Sequence, residues 1–450
     1  MTTRRRFLAA ASTLAGSATL APGALLHPRA IDIARELKKD RTQPWDAAGN
    51  ESFWAGVARA FTIDRSVINL NNGGVSPSPG FVQEAMKRHL DFSNTAPPPY
   101  ALWQVLEPQK EGTRLALAQT FGGGAEELAI TRNASESLQT LQQGLPLAAG
   151  DEVLTTTADY PRMINTFKQR ERREGIRLVR FQIPAPGDGR GVYDPGEVVR
   201  RFEAHITPRT RMMLCSHVVF LNGGVMPVKE ICALGRRHGI PVLVDAAHSL
   251  AHIDFRIPDL GCDYLGSSLH KWTFAPHGTG LLYVRRERIG DVWPLMAATE
   301  AQDTDIRKFE EIGTHPAANH LAIAEALTFH EGIGGARKLA RMVYLRDMWA
   351  DRLTSGPHAG RVRLRTSREA GHAGGIATVE FDGLDPGPLQ SWLWGKHRIF
   401  TVAINDAPDT PEELRHNIRG LRISPSVYTT PREIERFCEA VERALADGIG

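Results

Sequence analysis

Three short apolar runs, at residues 152–157, 212–216 and 241–245, constrain the fold more than anything else in this chain. Each is rich in Val, Leu, Met or Thr, and each is separated from the next by enough chain for a helical crossover. Strands that read as nearly continuous apolar runs are buried on both faces, and strands joined by helices lie parallel. The expectation is therefore an α/β fold with a mostly parallel central sheet flanked by helices. Upstream, the pattern predicts helices around 81–90 and 108–121 and a strand at 128–131. A strand at 67–70 should run into a turn that Gly73 and Gly74 permit. Past residue 325 the order changes: helices over 319–332 and 339–353, strands at 377–381 and 421–424, and a last helix over 431–446 suit a small α+β C-terminal domain. With 450 residues the chain exceeds the roughly 250–300 at which a single core stops growing, so two lobes are expected. The division reads as a leader at 1–30, an N-terminal segment at 31–75 packing with the small domain, a large domain at 76–325 and the small domain at 326–450.

The leader opens Thr3-Arg4-Arg5-Arg6-Phe7-Leu8 and continues into a mild apolar run to Leu26. It resembles a twin-arginine signal, which implies the Tat export machinery as a partner and a periplasmic or extracytoplasmic location. Gly16, Ser17 and Thr19 make the run a poor membrane-spanning helix. The 54 basic and 51 acidic residues are interspersed and leave a net charge of only +3, so no nucleic-acid partner is expected. Cys215, Cys232, Cys262 and Cys438 show no CxxC or ligand spacing and read as buried thiols; no metal site is expected. A nicotinamide enzyme is disfavoured, because no GxGxxG follows a strand and opens a helix.

In an open parallel sheet, ligands sit beyond the carboxyl ends of the strands. Two apolar strands here end in chemistry: one in Asp245-Ala246-Ala247-His248, the other in Ser267-Ser268-Leu269-His270-Lys271. Singly, an Asp after a strand is most often a helix cap and a Lys a solvated charge. As a pair they match what pyridoxal 5′-phosphate (PLP) requires, a lysine amine to hold it and a carboxylate to keep its pyridine nitrogen protonated. A phosphate also needs donors. Residues 128–136 supply a strand that turns into a helix start, with Asn133 placed to cap and Glu136 three residues on. The run 122–124, three glycines, lacks a following Lys-Ser/Thr and reads as a plain turn.

These motifs, in this order, resemble the class V aminotransferase fold, in particular its isopenicillin N epimerase-like and cysteine desulfurase-like branches, over about 69–442. The resemblance implies PLP-dependent fold type I and assigns roles. Asn133, Ala134 and Ser135 would cradle the phosphate, joined by Ser268 and His270. Tyr160 would stack on the pyridine, Asp245 pair with its nitrogen and His248 lie near its hydroxyl. Lys271 would bind PLP covalently and act as the catalytic base. Thr314 would reach the phosphate in a neighbouring subunit, which implies a homodimer with shared sites. Arg422, in 421–430, would bind a substrate α-carboxylate, a task suited to a guanidinium. Two departures stand out. Phe220 occupies the place where many relatives have an asparagine touching the ring hydroxyl, so that contact is lost or comes from elsewhere, with Asn222 one source. The segment 398–402, where desulfurases carry a nucleophilic cysteine, has none, which disfavours sulfur transfer.

The function so implied is a PLP-dependent enzyme acting at Cα of an amino acid or amino-acid-containing compound, with epimerisation, elimination and transamination all open. With an export leader, the combination also resembles the periplasmic maturation enzymes of pyoverdine, which makes a residue in a secreted peptide or siderophore the second reading. A non-catalytic PLP or amino-acid binder is the third; Asp245, Lys271 and Arg422 together argue against it, since binding alone needs no electron sink.

Overall fold

A computed structural model of the chain describes residues 26–95, 97–183 and 194–449. The twin-arginine motif and the rest of 1–25 lie outside the described residues. After a short strand β1 (Ile68–Asn69) come β2 (Leu128–Thr131), β3 (Glu152–Thr156), β4 (Arg177–Phe181), β5 (Thr210–Ser216), β6 (Val242–Asp245), β7 (Tyr264–Ser268) and β8 (Gly280–Val284). The last seven form one sheet in the order β2-β8-β7-β6-β5-β3-β4. β3 to β7 run parallel, whereas β8 is antiparallel to both β7 and β2. The strand ends after Thr131, Thr156, Ser216, Asp245 and Ser268 therefore gather along one edge.

Side chains alternate between two covered faces, as the period of two in a strand requires. In β6, Leu243 packs with Leu138 and Leu141 of helix α1 (Ala134–Gly144) and with Met163 and Phe167 of helix α2 (Pro161–Glu174). Val242 and Val244 pack into the larger cluster on the opposite face. The small domain adds an antiparallel sheet in the order β12-β13-β10-β9, built from β9 (Val362–Leu364), β10 (Ala377–Phe381), β12 (Val402–Ile404) and β13 (Gly420–Ile423). Between them β11 (Ile399–Phe400) pairs in parallel with β1. Trp349 and Phe437 meet edge-on in the small domain's core, which also takes Ile68 and Leu70. The helix Pro28–Leu37 packs instead on Ile323–Ile333, where a Cβ at Gly332 would stand 2.8 Å from the Ala34 Cα.

Two local expectations change. The helix over 319–332 is two helices, Ala317–Leu321 and Ile323–Ile333. Gly73 and Gly74 do not take positive φ; what excludes a side chain is proximity, since a Cβ at Gly73 would lie 3.3 Å from the His248 ring and 3.4 Å from Ser424 Oγ.

Candidate active site

A cavity of about 360 Å³ opens at the carboxyl edge of the large sheet. Asp245 ends β6 and Ser268 ends β7, and both line it together with Lys271, three residues beyond β7. The Lys271 amine lies 3.4 Å from Nε2 of His248. Since the amine is a donor, Nε2 accepts and the ring proton sits on Nδ1, which is buried without a partner. Burial pushes Lys271 down to about 8, with Asp245 opposing the shift and Arg422 adding to it. Burial pushes the Asp245 carboxyl up to about 6, against the Ala247 N–H and Lys271, which favour its charged form. Asp245 Oδ1 accepts from Ala247 N at 2.9 Å. No hydrogen-bond donor among the described residues reaches Oδ2, so this buried carboxylate keeps one oxygen for a cationic ring nitrogen. His248 is held well below the usual imidazole range by burial and then by the Lys271 and Arg422 charges, so it stays neutral.

His252, four residues after His248, gives an HxxxH spacing that the sequence reading passed over. It is not a ligand pair. His252 Nδ1 donates to the His248 carbonyl at 2.7 Å and Nε2 accepts from Gly375 N at 2.8 Å, so both nitrogens are used and the ring is neutral. The same ring stacks on Trp272 at 4.2 Å between centroids. The Trp272 carbonyl accepts from the fully buried Lys338, which also lies 3.1 Å from His330 Nδ1 and over the Phe274 ring. The loop after Lys271 is thus pinned from behind.

The start of α1 forms the anion end. Asn133 Oδ1 accepts from Glu136 N at 2.9 Å, which caps the helix, while the Glu136 carboxylate reaches back to Arg132 N and its guanidinium. Ala134 N donates to Ser268 Oγ at 2.9 Å. The Nδ1 of His270 is buried with no partner, and burial lowers that ring to about 4. A Cβ at Gly280 of β8 would come within 2.7 Å of the Asn133 Cα, so only glycine lets the helix start sit this close to the sheet. The Ser135 N–H, the Ser135 and Ser268 hydroxyls and an orphaned imidazole nitrogen converge on this end, as a phosphate requires.

Tyr160 precedes α2 and stands edge-on to Phe220 at 5.3 Å. Its placement depends on Asp159, which sequence reasoning did not single out. Asp159 Oδ2 accepts from Thr155 Oγ1, Thr156 N and Thr156 Oγ1, and Oδ1 accepts from Ser216 N at 2.8 Å, tying the ends of β3 and β5 together. Ser216 and Arg162 also line the cavity and were not anticipated. Asn222 does not supply the contact missing at Phe220. Its amide donates to the Arg365 carbonyl and its oxygen accepts from Gly224 N, and it lies off the cavity.

Two residues stand apart from the lining. Arg422, on β13, is 6% exposed; Nη1 donates to the Phe220 carbonyl at 2.8 Å and Nη2 to Asn71 Oδ1 at 2.9 Å. It pairs with no carboxylate among the described residues, and burial lowers it to about 10. Thr314 lies outside this cavity on an exposed stretch. Its segment is anchored by buried Glu310, which accepts from Arg114 at 2.5 and 3.0 Å, from Ile130 N at 2.6 Å and from Lys110 at 2.7 Å.

A lysine and a carboxylate at the carboxyl ends of adjacent strands, a neutral imidazole between them and an anion cradle at a helix start define a PLP-dependent enzyme of the fold type I architecture. More particularly, the chain belongs to the class V aminotransferase family, whose sequence profile, "Aminotransferase class-V", matches residues 68–437. Among curated proteins it is 30% identical to isopenicillin N epimerase of Amycolatopsis lactamdurans, over 86% of this chain and 98% of that protein. It is 28% identical, with the same coverage, to the epimerase of Streptomyces clavuligerus. Among solved structures, the apo cysteine desulfurase of Thermococcus onnurineus NA1 superposes with a TM-score of 0.72 at 22% identity, covering 87% of this chain and 98% of that one. The cysteine desulfurase CsdA of Escherichia coli matches with the same TM-score and coverage at 20% identity. The cofactor is PLP, and the enzyme acts on an amino-acid-type substrate at Cα.

Proposed function

We propose that this protein is an isopenicillin N epimerase-like enzyme in which Lys271 holds PLP and moves the Cα proton of an amino acid or amino-acid-containing compound. The observation that carries the reading is the convergence of Lys271, Asp245 and His248 at the ends of β6 and β7. When bound, PLP supplies an electron sink for the pair left when a bond at Cα breaks. Asp245 keeps the ring nitrogen protonated through its free oxygen. His248, kept neutral by burial, would sit near the ring hydroxyl, and Tyr160 would supply an aromatic face for the ring. Asn133, Ala134, Ser135, Ser268 and His270 hold the phosphate. The Lys271 amine, brought by burial to about 8, can both take and return a proton near neutral pH, as a base at Cα must. Arg422 receives the substrate carboxylate. The four cysteines are buried, and none lies in the β11–β12 region, which supports Cα proton chemistry over persulfide transfer.

The proposal extends to place and assembly. The twin-arginine leader supports export of the folded, cofactor-loaded enzyme to the periplasm, and with it the alternative substrate, an amino-acid residue in a secreted peptide or siderophore. The exposed Thr314 supports a homodimer in which it reaches the partner's phosphate site. The test of the central reading is an absorbance spectrum with and without borohydride, comparing wild type with Lys271→Ala. A visible band that reduction fixes to the wild-type chain, absent as a lysine adduct in the variant, supports it. A wild type that stays colourless after added PLP overturns it.

A further inference from the structure

Around Arg422, Phe220 offers only its backbone carbonyl, and the Asn222 amide is committed to the Arg365 carbonyl and Gly224 N. The remaining candidate comes from the N-terminal turn. Asn71 is held from both sides: its N–H donates to Asn69 Oδ1 at 3.0 Å, its carbonyl accepts from Gly74 N at 3.1 Å, and its backbone bridges Ser424 on the end of β13. Its side chain faces Arg422, a group with donors only, so Oδ1 must be the atom that meets Nη2 at 2.9 Å. That leaves the amide nitrogen, Nδ2, beside it on the same amide. It has no acceptor among the described residues. It also lies beside the cavity wall, since a Cβ at Gly74, which lines the cavity, would stand 3.0 Å from it.

Arg422 matches this arrangement. Its two protein acceptors, Asn71 Oδ1 and the Phe220 carbonyl, are both neutral, and its Nε is buried without a partner. A buried guanidinium oriented by neutral acceptors keeps its full charge for an incoming anion; a carboxylate in the position of Asn71 would cancel it. We infer that Asn71 is a substrate-binding residue: its amide oxygen orients Arg422 without neutralising it, while its Nδ2 donates to the same substrate carboxylate. The carboxylate site is thus assembled from three segments, the N-terminal turn, the loop after β5 that carries Phe220 and β13. The inference rests on the proposed reading of Arg422 as the carboxylate ligand.

The test titrates PLP-loaded enzyme with L-alanine and with L-alaninamide, which lacks the carboxylate, reading the absorbance change of the bound cofactor. Wild type is expected to respond to L-alanine at a concentration on the order of 100-fold lower than to the amide. Asn71→Asp, which keeps the shape but pairs with Arg422 and turns the donor into an acceptor, should bring the two within about 3-fold, with a melting temperature no lower than wild type. Asn71→Ala should reduce the preference by about 10-fold. A wild type with no preference overturns the role of Arg422 and this inference with it. A wild type with the preference, retained in Asn71→Asp, overturns the role of Asn71 alone.

Discussion

Asp245 and Lys271 both resist ionising in the cofactor-free fold, and the sign of that resistance can be measured. A carboxylate whose folded value is raised, here from 3.8 to about 6, destabilises the fold once it must ionise. The penalty is absent well below pH 4, grows as pH rises through the window from about 4 to 6, and is constant above it. A rise of that size corresponds to about 3 kcal/mol at most. Asp245→Asn keeps the acceptor for the Ala247 N–H and removes the charge. Cofactor-free Asp245→Asn should therefore melt higher than wild type at pH 8, with the advantage shrinking below pH 6 and nearly gone at pH 4. Added PLP should reverse the order, since only the carboxylate gains a cationic partner. A variant no more stable than wild type at pH 8 would refute the account of burial as the source of the raised Asp245 value.

The helix start at α1 is an element-scale device, because its distance from the sheet is set by a residue on another strand. Gly280→Ala would place a Cβ within 2.6 Å of Thr131 Oγ1 and 2.7 Å of the Asn133 Cα, forcing the anion end away from Ser268. PLP affinity should fall by at least about 10-fold in a fluorescence titration, with a lower melting temperature, since overpacking of a close contact costs about 1–3 kcal/mol. An unchanged affinity would mean that the cradle relaxes freely. The strand ends at Asp245 and Ser268 were legible in the sequence because apolar runs announce buried parallel strands, and polar residues after them announce a site. β4, reading Arg177-Leu178-Val179-Arg180-Phe181 at the sheet's edge, alternates too weakly to stand out. β8 carries apolar character but no sign of its direction, and that direction is what puts Gly280 against Asn133. Asn71 was hidden for a related reason: its partner Arg422 is 351 residues away, and only the pairing of the N-terminal turn with the small domain joins them.

For the whole molecule, the role of Thr314 separates a self-sufficient protomer from the proposed shared site, and a test can distinguish them. Every other residue proposed to hold the cofactor lines one cavity of a single chain, while Thr314 stands exposed outside it, on a segment that Glu310 fixes firmly to Arg114 and β2. An exposed residue four positions beyond a buried anchor suits a contact made across a two-fold axis, where each subunit gives what it receives. If so, each site takes Lys271 from one protomer and Thr314 from the other. Thr314→Ala should then weaken PLP binding by about 10-fold, as loss of a hydrogen bond to a charged group does. Lys271→Ala should abolish turnover. Co-expressed in equal amounts, the two variants form heterodimers in which one site carries both defects and the other carries neither. With random pairing about half the dimers are mixed, so about a quarter of all sites are restored, each with wild-type cofactor affinity. Activity assayed at limiting PLP, where Thr314→Ala homodimers are mostly empty, reads that quarter directly. Activity no greater than the sum of the two variants expressed alone would show that Thr314 does not act across the subunit interface.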